Sequence, residues 1–316
     1  MKSDPGANAM PLDNATKGRV LIPFAIVVMI WGSTWLVIRG QFGPVSTEWS
    51  VSYRFAIGAL SMFVVALAMK LPVRVRASDH ALAALLGTVT FVINYNSVYI
   101  AETYITSGLV AVIFSLLVPL NAILARIFLK QQLSRPFLMG SAVAMLGVLL
   151  LFLHEWRAVG HDPHRVAVGI GVALLAVSFA SIGNVFQGSP RARQVPMATL
   201  LAWAMFWGAL LDAMVAWART GPPVLDLRPT YLAGLFYLGI VASAVAFTLY
   251  FNLIRRIGAA RGGYVNVLIP VIAMGFSTLF EGYHWSVEAV LGGLLVIAGL
   301  VVAMRARGDA PAPRKG

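Results

Sequence analysis

A chain of 316 residues with 59% hydrophobic and only 11% charged residues cannot be patterned as a soluble globule, which needs far more polar surface. Its net charge of +12 would suit a nucleic-acid partner, but the cations are spread over short connections between long apolar runs, which argues for topology signals and against nucleic acid. The absence of cysteine removes disulfides, thiolate metal sites and cysteine nucleophiles together.

Crossing the hydrocarbon core takes roughly 20 apolar residues as helix. Ten segments meet that test: 20–38, 49–69, 80–100, 106–129, 136–154, 166–187, 195–217, 230–254, 262–280 and 285–304. None alternates like a lipid-facing barrel strand, so the expected fold is an all-α integral membrane protein with ten transmembrane helices. The first segment follows polar residues that include Asp4 and Asp13, and no small-residue cleavage site precedes Arg39. It is therefore read as a helix, not a removed signal.

The last two segments repeat an earlier pair. Pro119, Ser134, Gly140 and Gly147 correspond to Pro270, Ser286, Gly292 and Gly299 at offsets of 151 or 152, which marks a tandem duplication. Because five is odd, the second set enters the membrane from the opposite face, and the two five-helix repeats are inverted (5+5). The expected organisation is a cytoplasmic tail (1–19), a first repeat (20–154), a periplasmic linker (155–165), a second repeat (166–304) and a disordered cytoplasmic tail (305–316). Seventeen of the 24 Lys and Arg residues fall on one side, five (Arg39, Arg157, Arg165, Arg219, Arg228) on the other, and Arg54 and Arg126 lie within segments. This asymmetry places both termini in the cytoplasm of a multi-pass, bacterial-type inner-membrane protein.

Several features together resemble the EamA family of the drug/metabolite transporter superfamily. These are an Arg-Phe pair near the start of the second helix (Arg54, Phe55), short loops, ten spans, and in each half a proline helix leading to a terminal helix with glycines seven residues apart. The resemblance implies a 5+5 inverted-repeat carrier of amino acids and other metabolites. The aromatic content and neutral helix interiors are most similar to YddG-type exporters of aromatic amino acids. Many members carry a Glu at the end of the proline helix in both halves; here Glu281 stands in the second and Leu129-Lys130-Gln131 in the first.

Polar groups deep in hydrocarbon pair with one another or face water. By depth these are Ser33 and Thr34 on helix 1, Asn94 on helix 3, Asn121 on helix 4, Asn184 on helix 6 and Asn266 on helix 9. Either each bonds a neighbouring helix or together they line a shared polar cavity. Trp31, Trp203 and Trp207 lie within about a turn of their helix centres, as packing groups or pathway lining. Tyr95 and Tyr99 share a face beside Asn94. Trp49, Trp156, Trp217, Tyr231 and Trp285 sit at span ends, where an interfacial belt explains them.

Pro119 and Pro270 free a carbonyl in a helix interior and are the hinge candidates. Arg54 and Asp212 fall in the outer half, roughly 7 to 9 Å from the expected centres of helices 2 and 7. They either pair or line an outward vestibule that receives the two ends of a zwitterion. Helices 5 and 10, rich in glycine, read as scaffold or dimer surface, leaving a monomer or a homodimer open.

No catalytic constellation, metal cluster or Walker sequence is present, so no enzyme, metal site or cofactor is expected. The expected function is alternating-access transport of small amphipathic metabolites, amino acids in particular, out of the cell through a neutral, aromatic-lined cavity. An exporter of drugs or quaternary ammonium ions is the alternative, and a channel the alternative of another class. The partners are the lipid bilayer and a small-molecule substrate. With no acid near an expected helix centre, facilitated movement down a gradient is favoured over proton coupling.

Overall fold

The computed structural model describes residues 14–129, 135–158, 163–187, 189–250, 264–280, 282 and 284–305. The helices, in chain order, are α1 (Asn14–Arg39), α2 (Thr47–Ala68), α3 (Ala77–Tyr104), α4 (Ser107–Phe128), α5 (Arg135–Ala158), α6 (Pro163–Gln187), α7 (Met197–Thr220), α8 (Pro229–Tyr250), α9 (Tyr264–Phe280) and α10 (Val287–Arg305). No strand occurs among the described residues. Seven of the helices (α1–α4 and α6–α8) are long and apolar enough to cross a membrane. The apolar stretches of the other three, Arg135–Leu151, Leu268–Phe280 and Val287–Gly299, are shorter. Helix is the dictated choice in such sequence, because lipid offers no partner to an unbonded backbone group.

The packing repeats itself. α3 lies against α7 as α8 lies against α2, and α6 packs on α4 as α1 packs on α9; α2 meets α7, and α5 meets α10. Adding five to both helices of one pair gives the other, modulo ten. The same correspondence holds for single glycines. A Cβ on Gly87 would land on the Ala204 carbonyl of α7, and one on Gly239, 152 residues later, would sit 3.0 Å from the Arg54 carbonyl of α2. Small residues let helix backbones meet where lipid supplies no hydrophobic drive to bring them together.

α5 and α10 cross in the same way. Gly292 faces the Gly147 carbonyl at 2.9 Å and Gly299 the Gly140 carbonyl at 2.5 Å, measured to the Cβ each lacks. The glycine faces expected to serve as scaffold or dimer surface are thus used within the chain. Along their middles these helices expose apolar side chains such as Met145, Leu146 and Leu294. A groove of about 480 Å³ between α2 and α8, lined by Leu60, Val64, Ile240 and Val245, is apolar as well.

Two kinds of irregularity interrupt the helices. α4 breaks at Ser115–Leu116, one turn before Pro119, as expected where proline removes the donor to the carbonyl four residues back. α9 runs through Pro270 without a break, so the two prolines are not structurally alike. α3 and α8 each widen into a π-helical segment, Gly87–Ile93 and Tyr237–Val245, at corresponding positions of the two halves. Such wide turns are uncommon and often sit at functional places.

The loops group at the two ends of the bundle. At one end Arg191 pairs with Asp79 at 2.5 Å, Thr199 donates to the Pro72 carbonyl and Trp203 to the Val73 carbonyl. At the other, Arg39 donates to the Glu102 and Ile105 carbonyls, Arg165 to Thr103, and Arg219 pairs with Glu48 at 3.0 Å. Two residues assigned to an interfacial belt are buried instead. Trp49 donates to the Gly221 carbonyl, and Tyr231, wholly enclosed, bonds Ser50 at 3.0 Å. A neighbouring helix offered these rings both apolar contact and a polar partner, which is all that the interface would have supplied. Trp217 and Trp285 stay exposed, and the side chain of Trp156 lies outside the described residues.

In the loop before α8, Arg228 donates through Nε to Asp226 Oδ2 (2.6 Å) and through its backbone N–H to Oδ1 (2.9 Å). The Arg228 side-chain bond holds the Asp226 carboxyl below the usual carboxylate range. A depressed folded-state value contributes stability above the unfolded value, lost as pH falls through the folded one. Amide exchange at Arg228 is therefore expected to stay protected through mild acid and to lose protection only below the pH where free aspartate protonates. Loss of protection near neutrality would show that the pair does not order this loop.

Candidate functional site

The expected pathway residues are distributed over several places. On α2, α3 and α7 the helix ends extend the expected segments outward, so Arg54 and Asp212 each lie about three and a half residues, roughly 5 Å, from the middle of their helices. Both lie nearer the middle of their helices than the sequence segments suggested. Arg54 is only 2% exposed. Its guanidinium lies over the Tyr95 ring at 4.5 Å and the Phe55 ring at 5.3 Å, beside the Tyr99 phenol. The i, i+4 spacing of Tyr95 and Tyr99 turns both toward α2. Arg54 Nε and Nη1 and the Tyr99 hydroxyl are buried and meet no hydrogen-bond partner.

Arg54 and Asp212 do not pair. Asp212 Oδ1 instead accepts from Asn96 Nδ2 at 2.6 Å. Depth along the helix does not single out Asn96 from Asn94, two residues and about 200° away on the same helix. Only the docking of α7 decides which of the two amides meets the acid. Asn94 donates to the Thr90 carbonyl of its own helix, and its Oδ1 is buried without a partner.

A second group joins α1 to α8. Trp31 Nε1 donates to the Ala242 carbonyl at 3.1 Å, inside the π-helical segment, and the indole packs on Phe247 and Tyr250. Ser33 bonds the Tyr237 hydroxyl at 2.7 Å, while Thr34 Oγ1 turns back to the Trp31 carbonyl. Tyr237 carries no sequence signal beyond its depth. A third group joins α4 to α6, where Asn121 Oδ1 accepts from Ser181 at 2.7 Å and from Asn184 at 3.5 Å.

Trp203 and Trp207 stand apart from all three. They share one face of α7, as their spacing requires, and that face meets the start of α3: Trp203 lies edge-on to His80 at 4.3 Å, and Trp207 Nε1 reaches His80 Nδ1 at 3.4 Å. Pro119 follows the break in α4, and Pro270 is buried in α9. The Asn266 side chain lies outside the described residues, as do Glu281 and Lys130-Gln131. Among the described residues no cluster of three or more potential ligands could hold a metal ion.

An apolar helical bundle with polar groups buried between its helices suits a protein that works within lipid. The profile of the EamA-like transporter family matches the chain twice, over residues 19–153 and 167–305. The chain belongs to the EamA-like transporter family. It is thus a multi-pass membrane protein of a family of transporters, not of enzymes.

Relatives of this EamA protein point the same way. It is 24% identical to an uncharacterized transporter, YdfC, of Bacillus subtilis, over 89% of this chain and 90% of the relative. It is 24% identical to a probable terminal-alkyne amino-acid exporter of Streptantibioticus cattleyicolor (89% and 91% covered), and 23% identical to a probable amino-acid metabolite efflux pump of Salmonella typhimurium (88% and 92%). A crystal structure at 17% identity superposes with a TM-score of 0.65, covering 91% of this chain and 96% of that one, and so shares its fold.

Proposed function

We propose that this EamA protein is an alternating-access exporter of small amphipathic metabolites, aromatic amino acids first among them. Ten spans form two inverted five-helix repeats with both termini in the cytoplasm and the 155–165 linker in the periplasm. One observation carries the substrate class: a guanidinium buried near the middle of α2, with two donors unpartnered and two tyrosines around it. An unpaired cation in hydrocarbon is costly, and a carboxylate arriving with the solute would offset that cost through charge-assisted hydrogen bonds. Tyr95 and Tyr99 would meet the solute's ring. The names of two relatives, an amino-acid exporter and an amino-acid metabolite efflux pump, support the same class. The break before Pro119 and the π-helical segments of α3 and α8 are where the bundle would bend.

Lipophilic cations are the competing class, since the Trp31, Phe247 and Tyr250 rings offer faces to a cation. Counterflow in liposomes containing the purified protein separates the two. Phenylalanine, tyrosine and tryptophan are expected to exchange in preference to aliphatic amino acids and to tetraphenylphosphonium. Exchange of the cation alone would replace this assignment with the other.

A further inference from the structure

Asp212 has no exposed surface and is enclosed where α7 packs on α2 and α3. Its Oδ1 takes the Asn96 amide, while Oδ2 is buried and meets no donor. Among the described residues no cation lies within ion-pair distance of it. On α2, Arg54 lies over Tyr95, Glu48 is engaged by Arg219 of α7 itself, and Tyr53 donates to the Val224 carbonyl in the loop. On α3, Asp79 is held by Arg191 and His80 by the two tryptophans; Tyr95 and Tyr99 face Arg54, and Glu102 and Tyr104 lie in the last turn. Every other Asp or Glu among the described residues lies in a loop or in the first or last turn of a helix.

An ionised carboxylate so placed is shut off from the solvent surface and has no counter-ion among the described residues, a cost of several kcal/mol that a neutral carboxyl avoids. We propose that Asp212 is a proton-binding site and that the transport cycle is coupled to its loading and release. In the arrangement seen here the carboxyl carries its proton beside Asn96. When α7 parts from α2 and α3, water reaches the group, the O–H bond breaks, and the proton leaves to that bath as hydronium, with the carboxylate left behind. This deepens the carrier reading above and reverses the preference for uncoupled movement drawn from sequence, because the acid lies nearer the middle of its helix than the sequence segments placed it.

Two measurements test the site, and the first needs no substrate. Infrared difference spectra of the protein in lipid at neutral pH, wild type minus Asp212→Asn, are expected to contain a protonated-carboxyl C=O stretch that shifts in deuterated water. Asp212→Glu should keep such a band at a displaced frequency, and raising the pH should remove it. Carboxylate stretches alone at neutral pH overturn the proposal. The second uses proteoliposomes with a pH gradient imposed in each direction and labelled L-phenylalanine as probe. Wild-type accumulation is expected to rise at least tenfold with one direction of the gradient, and Asp212→Asn to lose that rise; wild-type uptake indifferent to both gradients overturns the coupling. If L-phenylalanine does not exchange at all, the assignment of the solute fails, while the infrared band still decides the proton site.

Discussion

Arg54→Met is expected to lower phenylalanine counterflow about 10- to 100-fold, the size of losing hydrogen bonds to a charged group worth roughly 1.5–3 kcal/mol. The same variant, without substrate, is expected to be at least as heat-stable as wild type. The substitution replaces a buried guanidinium, with Nε and Nη1 unpartnered, by an apolar side chain of similar reach. Arg54→Lys should fall between the two in transport, since it keeps the charge but not the planar fork that binds a carboxylate bidentately. The pairing of lost transport with undiminished stability is diagnostic. A purely structural arginine would give the reverse, a lower melting temperature with transport falling only as folded protein is lost. Wild-type counterflow in Arg54→Met would remove Arg54 from the solute's path.

Gly87→Ala and Gly299→Ala are expected to destabilise the bundle by about 1–3 kcal/mol each, the usual cost of forcing added carbon into a packed interior. In each case the new Cβ would meet backbone, which cannot step aside as a side chain can. At Gly87 it meets Ala204 and Gly208 of α7, and at Gly299 it meets Gly140 and Ala144 of α5. Gly171→Ala and Gly293→Ala are the controls, because nothing lies within 4 Å of the Cβ either would gain. They are expected to leave the melting temperature unchanged or slightly raised, as helix propensity favours alanine over glycine. Thermal unfolding in detergent of all four variants separates crossing points from incidental glycines. Equal shifts in the two pairs would mean that helix propensity, not close approach, governs them.

These predictions draw on different layers of information. The glycines of α5 and α10 declared themselves in sequence by recurring at a fixed offset, as scaffold or dimer surface, but that they cross one another is seen only in the structure. The glycines at 87 and 239 are also 152 apart, but nothing in their neighbourhood says which helix each meets. Arg54 was legible as a charge inside an apolar run. Its two tyrosines were legible as a face, and their meeting with Arg54 was not. Asn96 shows the limit most clearly: its amide bonds Asp212, yet depth along the helix does not tell it from Asn94 two residues away.

By itself the sequence determined that this chain belongs in lipid, that helices are its means of crossing, and that the second half repeats the first. Those properties follow from composition, from the need of every backbone group for an internal partner, and from spacing, all of which are written along one dimension. Only the tertiary structure decided that Arg54 and Asp212 go their separate ways, that Trp49 and Tyr231 are enclosed, and that Trp203 and Trp207 turn to His80. The reason is physical. A helix in lipid is apolar on nearly every side, so hydrophobic periodicity, which tells a soluble helix which face to bury, carries little information about rotation here. Which polar group meets which is left to the fit of small residues at a few crossings, and that fit exists only once the helices have met.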